Sequence, residues 1–405
     1  MFRYRTPHNS RLQWSLRPES YGKNMTQRWA WADINLSALA HNVRILASES
    51  APSEVWTVVK ANAYGHGALQ CATTALESGA TGLCVALADE AIALRQAGVS
   101  APILVMSEQP PQQHEDMIKY GLIATLYNKA TIEHYASVAT RLGVVGAVHL
   151  KVDTGMHRVG TEPKQAVEMA QLIASQAWLQ LDGIFTHLAT ADVVDHEATS
   201  RQVSEFDRVC EELKQLALLP SRVHIANSSA TMNHIGVAAQ MKNAPTMTRV
   251  GIAMYGIAAD SQSNSFGVAT GDALHPVMSL KARVSHVQWL DAGEAVSYGL
   301  HRALKQRSCI VTLPIGYADG VPRGLWATGE VLIGGKRRAF AGVITMDQAM
   351  IDCGNDDVQV GDEAVLIGKQ GESQITANDW ARQMGTIGYE IVCGISARVP
   401  RNYLR

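Results

Sequence analysis

Short apolar segments alternate with amphipathic segments from residue 56 to about residue 255, and this alternation restricts the fold more than any other feature. The strand-like segments are residues 56–60, 83–87, 103–106, 122–126, 147–152, 181–185, 223–226 and 249–254. Segments between them, such as 67–78, 88–97 and 199–216, repeat their apolar residues every three or four positions, as amphipathic helices do. Eight strands separated by helices predict an α/β protein with a (β/α)8 barrel, although a doubly wound sheet would show the same alternation.

The pattern changes after about residue 271. Strand-like segments at 277–289, 309–314, 330–333, 339–344 and 363–367 follow one another with turn residues between them, which predicts a mainly β second domain. Residues 332–336 (LIGGK) superficially resemble a phosphate-binding loop, but the glycine spacing differs and Arg337 replaces the required serine or threonine. We interpret them as a hairpin turn. The predicted division is a flexible extension at 1–24, a barrel domain at 25–270 and a mainly β domain at 271–405.

Composition excludes several classes of protein. A chain of 405 residues, 47% of them hydrophobic, has room for two domains with full cores. The net charge of -2 gives no reason to expect nucleic acid or an anionic membrane as a partner. The six cysteines are widely separated, the histidines show no metal-ligand spacing, and no apolar segment is long enough for a signal peptide or a membrane span. We therefore expect a cytoplasmic protein without a metal site.

The segment TVVKANAYGHG at 57–67 places Lys60 at the end of a strand-like run and Tyr64 beside two glycines. A lysine at the mouth of a barrel can react with a carbonyl group, and glycines let backbone amides approach an anion, although a solvated surface lysine would fit the pattern equally well. The predicted ends of the other strands add polar and cationic residues, namely Lys151, Asp153, Arg158, His187, His224, Asn227, Ser228, Arg249 and Gly251. Such a set suits a planar, anionic cofactor.

Ordered motifs across both predicted domains support a more specific hypothesis. Besides residues 57–67 they are KVDTGMHRVG (151–160), THLATAD (186–192), HIANSSA (224–230), TRVGIAMYG (248–256), VSYG (296–299), LPIGYADG (313–320), TMDQ (345–348), GTIGYE (385–390) and ISARVPR (395–401). In these motifs the sequence resembles the bacterial alanine racemases, which are fold-type III enzymes that use pyridoxal 5′-phosphate (PLP). The resemblance spans residues 28–405.

The resemblance implies roles for the barrel residues. Lys60 would bind PLP covalently and exchange a proton on one face of the substrate, because PLP acts as an electron sink for a Cα carbanion. Arg249 would face the pyridine nitrogen, with His224 orienting it, and Arg158 would contact the substrate carboxylate, steadied by a carbamylated Lys151. The remaining cofactor contacts would come from Tyr64, His187, Asn227, Ser228, Gly251, Ile252 and Tyr389.

The resemblance also implies a homodimer with shared active sites. A racemase needs acid/base groups on both faces of a planar intermediate, and Tyr298 would serve the face opposite Lys60 from the partner subunit. Met346, Asp347 and Tyr317 would reach the same partner site. Tyr389 and Tyr298 would form a narrow inner gate that favours alanine, and the entrance would be lined by Asp192, Arg323, Ile387 and Tyr389.

Other functions remain open at this level. A broad-specificity amino-acid racemase of the same fold is the main alternative, ahead of a single-domain PLP-binding barrel and a fold-related decarboxylase. The second domain with Tyr298 argues against the single-domain protein, and Arg249 argues against a decarboxylase, which would keep an acidic residue at the pyridine nitrogen. His157 and Val159 stand where glycine and leucine are commoner in the family, and Thr345 stands where some relatives have cysteine, which leaves the substrate preference open.

Overall fold

The computed structural model describes residues 28–193, 195–235, 241–259 and 274–405. The predicted extension at 1–24 and the predicted domain border at 270/271 lie outside these residues and stay predictions. The described chain begins with strand β1 (Ala30–Asn35) and helix α1 (Leu36–Ser50). The side chain of Asn35 accepts a hydrogen bond from the backbone N–H of Ala38 at 2.9 Å and so caps the first turn of α1.

Eight parallel strands form the barrel. They are β2 (Glu54–Val58), β3 (Gly82–Val85), β4 (Ile103–Val105), β5 (Ile123–Leu126), β6 (Gly146–Lys151), β7 (Leu179–Phe185), β8 (Arg222–His224) and β9 (Met247–Val250). The ladder runs from β8 through β7 to β2 and then to β9. Backbone hydrogen bonds from Thr246 N–H to Val223 O (2.9 Å) and from Arg249 N–H to Ala226 O (3.0 Å) close the ring between β8 and β9. The barrel prediction is confirmed, and the doubly wound sheet is excluded.

Helices follow most of the barrel strands and shield them from solvent. After the short segment α2 (Lys60–Tyr64) come α3 (Ala68–Glu77), α4 (Ala88–Gln96), α5 (His114–Lys119), α6 (Lys129–Leu142), α7 (Ala166–Ala174), α8 (Glu197–Gln215) and α9 (Ser228–Met232). In α8 the buried residues Val203, Phe206, Cys210 and Leu213 recur every three or four positions. That spacing places them on one face of the helix, which packs toward the barrel core.

The second domain is mainly β, as the sequence predicted, and its strands form two sheets. Its strands are β10 (Met278–Arg283), β11 (His286–Leu290), β12 (Ser308–Leu313), β13 (Glu330–Ile333), β14 (Lys336–Ala339), β15 (Ala349–Asp352), β16 (Glu363–Gln370), β17 (Ser373–Ile375) and β18 (Arg401–Leu404). One sheet has the order β14-β13-β16-β10-β1-β18, with β17 on β16, and the other has the order β11-β12-β15. The hairpin at 332–336 is confirmed, since β13 pairs with β14 and Gly334 and Gly335 have φ of +62° and +75°.

Three features of this domain differ from the sequence prediction or were missed by it. Strand β1 pairs with β10 and β18, so the first described strand belongs to the second domain's sheet and not to the barrel. The predicted strand at 277–289 is two strands in different sheets, and of the predicted strand at 339–344 only Ala339 lies in a strand. Alternating apolar residues cannot distinguish one long strand from two short ones joined by a bend.

Two helices near the end of the chain join the domains. They are α10 (Ala377–Met384) and α11 (Gly388–Gly394), which the sequence analysis did not predict. A Cβ built on Gly65 would lie 2.5 Å from the carbonyl oxygen of Val392 in α11, so α11 packs directly on the segment after β2. The Nε of Arg401 donates to the carbonyl of Gly65 at 3.0 Å and reinforces this contact. Across the described part of the chain, no helix combines the length and apolarity needed to cross a membrane.

Candidate active site

Lys60 lies just beyond β2, where the chain enters a left-handed helical turn. Strand β2 ends at Val58, and residues 61–64 all have φ between +51° and +54°. None of these four residues is glycine, and a left-handed conformation costs an L-residue about 1–2 kcal/mol. Strain of this kind persists only where the surroundings fix it, and it is concentrated at functional sites. The sequence predicts Lys60 as the last residue of the strand at 56–60 and gives no sign of this left-handed turn.

Side chains outside the turn hold it in place. Ala61 N–H donates to Oε1 of Glu90 at 2.6 Å, and Glu90 also accepts from the backbone at the start of α4. Within the turn, Ala63 N–H donates to the carbonyl of Val59 at 2.9 Å, and Asn62 Oδ1 accepts from Ala68 N–H at 2.8 Å. Glu90 was not predicted as a site residue, because its role depends on a neighbouring strand–helix unit and not on its local sequence.

The surroundings of Lys60 favour a reactive, neutral amine. Burial lowers the pKa of Lys60, and the positive charge of Arg158 lowers it further. Only the neutral form of an amine can attack a carbonyl group, so this environment suits covalent attachment of an aldehyde cofactor. Arg158 itself is exposed at the mouth of the barrel.

A cradle for an anion lies beside Lys60. Ser228 Oγ accepts from the N–H groups of Gly251 at 2.9 Å and Ala253 at 3.3 Å, and it is buried at the start of α9. A Cβ built on Gly251 would lie 2.7 Å from the hydroxyl oxygen of Tyr64, so only glycine leaves the tyrosine in place. The ring of Tyr389 lies 6.0 Å from that of Tyr64. Hydroxyl and amide groups therefore converge where the sequence predicts a phosphate.

The two residues next to this cradle have local structural roles. Asn227 caps α9, since its side-chain oxygen accepts from Ala230 N–H at 3.0 Å. Ser228 is therefore the first residue of α9 and not its cap. Ile252 is buried and begins a short 3₁₀ turn (Ile252–Tyr255) directly after Gly251. The structure thus places both predicted cofactor-binding residues at the cradle.

Arg249 is a buried cation on the last barrel strand. Its Nη1 lies 2.6 Å from His224 Nδ1, and its Nη2 donates to the carbonyl of Thr186 at 2.8 Å. Its guanidinium also lies 5.0 Å from the centre of the Phe185 ring. Burial lowers the pKa of Arg249 to about 10, so the group remains protonated at neutral pH. A ring nitrogen placed against it would meet a hydrogen-bond donor that does not release its proton.

Positive charge accumulates around His187. Burial holds the pKa of His187 well below the ordinary value. Four cations lower it further, and in order of decreasing effect they are Arg249, Arg158, Lys151 and Lys60. The pKa of Lys151 is lowered to about 8, chiefly by burial and then by Arg249 and Arg158. Lys151 Nζ lies 5.4 Å from the centre of the Phe185 ring. Four of the predicted barrel residues thus lie close enough to His187 to form one electropositive region, which suits a phosphate and a carboxylate.

The second-domain residues form a separate, exposed group. Tyr298 is 73% exposed, Met346 52% and Tyr317 42%. The loop that carries Tyr298 is strained, since Ser297 and Leu300 have φ of +70° and +44°, and the Ser297 hydroxyl anchors it by donating to the carbonyl of Val343 at 2.6 Å. A strained, anchored loop with an exposed aromatic tip is typical of a functional contact.

Tyr317, Met346 and Asp347 lie together on one edge of this domain. Tyr317 N–H donates to the carbonyl of Thr345 at 3.0 Å, which holds the two loops against each other. Asp347 pairs with Arg398 at 2.7 Å, and Arg398 also approaches the fully buried Asp319 at 3.4 Å. This edge is solvated in the single chain and is not buried with Lys60.

The predicted entrance residues are only partly brought together. Burial raises the pKa of Tyr389 and the nearby Asp192 carboxylate raises it further, so these two side chains are neighbours. Ile387 precedes α11 and is 47% exposed. Arg323 is exposed at the start of a separate 3₁₀ turn (Arg323–Trp326).

The unusual His157 has a simple structural explanation. It has φ of +55°, a value that glycine adopts most easily, and its N–H donates to Asp153 Oδ1 at 2.9 Å. The Asp153 carboxylate thus holds a left-handed residue in the loop directly before Arg158.

Comparison with known proteins agrees with this geometry. Residues 34–259 match the family description "Alanine racemase, N-terminal domain", and residues 277–403 match "Alanine racemase, C-terminal domain". The chain is 42% identical to the alanine racemase of Symbiobacterium thermophilum, over 93% of this chain and 97% of the relative.

Solved structures show the same relationship. The alanine racemase of Streptomyces lavendulae superposes with a TM-score of 0.87 at 35% identity, covering 94% of this chain and 98% of that one. A histidine racemase from Leuconostoc mesenteroides superposes with a TM-score of 0.84 at 28% identity, covering 94% and 100%. With both domains matched in order and the barrel site assembled, the chain belongs to the alanine racemase family.

Proposed function

We propose that this protein interconverts L-alanine and D-alanine, with PLP bound at Lys60 as its cofactor. The observation that carries the proposal is the convergence of Lys60, the anion cradle at Gly251 and the buried Arg249 at one end of the barrel. PLP, when bound, supplies an electron sink that acidifies the substrate's Cα–H bond. D-alanine made in this way would serve peptidoglycan synthesis, or the enzyme would serve alanine catabolism.

Different residues of the chain bind the cofactor, bind the substrate and exchange the proton. Ser228, Tyr64 and the amide of Gly251 would hold the phosphate of PLP, and Arg249 would donate to its ring nitrogen while keeping its own proton. Arg158 and the electropositive surroundings bind the substrate carboxylate. Lys60 exchanges the Cα proton on one face, and Tyr298 exchanges it on the other.

The exposure of Tyr298 supports a shared site. A tyrosine that is 73% exposed on a strained loop has no buried role in the single chain. We propose that two copies form a dimer in which Tyr298, Met346 and Tyr317 of each copy enter the barrel mouth of the other. The narrow gate formed by Tyr298 and Tyr389 would then favour alanine over longer side chains.

Reductive trapping tests the cofactor assignment. Borohydride treatment of the purified protein followed by peptide mapping should place a pyridoxyl group on Lys60. Lys60→Ala should lose racemisation, while the control Tyr120→Phe, whose hydroxyl contacts only Gln96 among the described residues, should not. Full activity in Lys60→Ala with added PLP would refute the assignment.

A mixing experiment tests the shared site. Lys60→Ala and Tyr298→Phe proteins should each be nearly inactive as homodimers. In a mixed dimer both changes fall in one site, so the other site is intact and about a quarter of wild-type activity should return at statistical mixing. No recovery after verified subunit exchange would show that Lys60 and Tyr298 do not act across an interface.

Substrate choice needs its own measurement, because the same fold also supports a histidine racemase. Chiral analysis of products from a panel of amino acids should show alanine as the best substrate, with serine and glycine exchange far behind. Comparable turnover of long side chains would instead favour the broad-specificity racemase. The cytoplasmic location stays a prediction.

A further inference from the structure

A continuous line of polar side chains, fully buried at its two histidines, crosses four neighbouring barrel strands and ends at Arg249. From the cofactor end it runs through His224 and His149 to Asp182 and Arg222. Arg249 Nη1 lies 2.6 Å from His224 Nδ1, His224 Nε2 lies 2.9 Å from His149 Nδ1, and His149 Nε2 lies 3.1 Å from Asp182 Oδ2. Both histidines are completely buried. Of the two histidines, only His224 was expected from the sequence to belong to the site.

Arg249 and Asp182, at the two ends of the histidine pair, determine which ring nitrogen of each histidine carries the proton. Arg249 can only donate, so His224 Nδ1 must accept and its Nε2 must carry the proton. His224 therefore donates to His149 Nδ1, and His149 must carry its own proton on Nε2. That proton needs an acceptor, and the Asp182 carboxylate provides one. All contacts are satisfied only when both histidines are neutral Nε2–H tautomers.

The local backbone and neighbouring side chains accommodate this line of residues specifically. The register between β6 and β7 shifts at His149, which pairs with Gly183 while Val148 pairs with Leu181, so Asp182 is the extra residue of a bulge. A Cβ built on Gly183 would lie 2.6 Å from the His149 ring, so glycine makes room for the imidazole. Arg222 Nη1 binds both oxygens of Asp182, at 2.8 and 2.7 Å, and holds the carboxylate in place.

The electrostatic surroundings support neutral histidines. Burial lowers the pKa of His149, and Arg222 and Arg249 lower it further, while Asp182 opposes them. Burial also holds the pKa of His224 well below its ordinary value, with Arg249 and His149 adding to the effect. Among the described residues Arg249 has no direct carboxylate partner. Its nearest negative charge along the hydrogen bonds is Asp182, two imidazoles away.

We propose that Asp182 is a positioning residue of the active site: with His149 it fixes the tautomer of His224 and thereby presents a bare Nδ1 that orients Arg249. The inference rests on the proposed function, in which Arg249 faces the cofactor's ring nitrogen. Asp182 does not touch cofactor or substrate. It acts through two histidines, in the way that a buried carboxylate sets the tautomer of a catalytic histidine.

Isosteric substitutions at Asp182 separate the tautomer effect from a general loss of packing. Asp182→Asn can keep an oxygen at the position of Oδ2, which still accepts from His149. Its amide nitrogen then replaces Oδ1 and loses the hydrogen bond that Arg222, a partly exposed side chain, donates there. Asp182→Leu keeps the shape but removes the acceptor. Glu54→Gln is the matched control, because Glu54 also lies near Arg222, at 3.7 Å, but is outside the line to His149.

Solid-state ¹⁵N NMR of the full-length protein with labelled histidine reads the tautomers directly, with His149→Gln and His224→Gln assigning the signals. In the wild type both rings should be neutral with the proton on Nε2, and Asp182→Asn and Glu54→Gln should keep that pattern. Asp182→Leu should lose the single Nε2–H form of His149. A cationic or Nδ1–H ring in the wild type would overturn the proposal.

Racemisation kinetics provide the second readout. Asp182→Leu should lower kcat by about tenfold to a hundredfold with little change in KM, as for other residues that orient a site indirectly, while Asp182→Asn stays within a few-fold of the wild type. Wild-type kcat and spectrum in Asp182→Leu, or an equal loss in both variants, would overturn the role of the tautomer. If Asp182→Leu does not fold, the ¹⁵N NMR spectra of the wild type and of Asp182→Asn still test the predicted tautomers. A wild type with the expected tautomers but no racemase activity would refute the proposed function alone.

Discussion

Lys151 should make the folded protein less stable at neutral pH than at alkaline pH, and its replacement by methionine should reveal this cost. The side chain is only 6% exposed, and burial together with Arg249 and Arg158 lowers its pKa from 10.5 to about 8. At pH 7 this difference corresponds to about 3 kcal/mol of unfavourable free energy in the folded state. Lys151→Met also loses the cation–π contact with Phe185, which offsets about 1 kcal/mol of the gain in stability. Lys151→Met should therefore be more stable than the wild type by about 2 kcal/mol.

The sign of the pH dependence follows from proton binding. Between about pH 8 and pH 10.5 the unfolded chain keeps the Lys151 proton while the folded protein releases it, so wild-type stability rises with pH in that window. Below about pH 8 the full cost is present. The difference in free energy of unfolding between Lys151→Met and the wild type should therefore decrease by about 2 kcal/mol between pH 7 and pH 10.

Urea unfolding at both pH values measures this difference. Cofactor-free protein at one fixed concentration in CO₂-free buffer avoids stabilisation by ligand and masking of the amine. The exposed Lys214 provides the control, since Lys214→Met should show no pH-dependent difference from the wild type. If Lys151→Met were destabilised by the same amount at both pH values, the lysine would not be a buried cation in the folded state.

Three further predictions follow from the same geometry. With a pKa of about 8, roughly a tenth of Lys151 amines are neutral at pH 7, so ¹³C-bicarbonate should give a carbamate NMR signal that Lys151→Met lacks; its absence from the wild type would refute carbamylation. Gly251→Ala should weaken PLP binding about tenfold or more because Tyr64 must move, whereas Gly394→Ala, whose Cβ would meet nothing within 4 Å, should bind PLP normally in the same absorbance titration. Ala61→Gly should raise the free energy of unfolding by about 1 kcal/mol in urea, because Ala61 is exposed and its left-handed conformation is costly for any residue with a Cβ, whereas Ala61→Val keeps the Cβ and should show no such gain; equal effects would show that backbone strain is absent.

Much of the fold could be predicted because the spacing of apolar residues within each strand or helix is a local feature of the sequence. The eight barrel strands and the hairpin at Gly334 appear where the apolar pattern and turn residues place them. Strand β1 was missed because its partners, β10 and β18, lie more than two hundred residues away in sequence. The bend that separates β10 from β11 was missed because apolar residues continue across it.

The sequence by itself determined the chemistry: the residue types of the site, from Lys60 to Arg249, stand in motifs that could be identified without coordinates. Only the tertiary structure decided how those residues are held. It showed the left-handed turn after Lys60, the contact that requires glycine at 251, and the line from Arg249 to Asp182. Backbone strain and proton positions depend on partners that are distant in sequence, so no local pattern could have shown them.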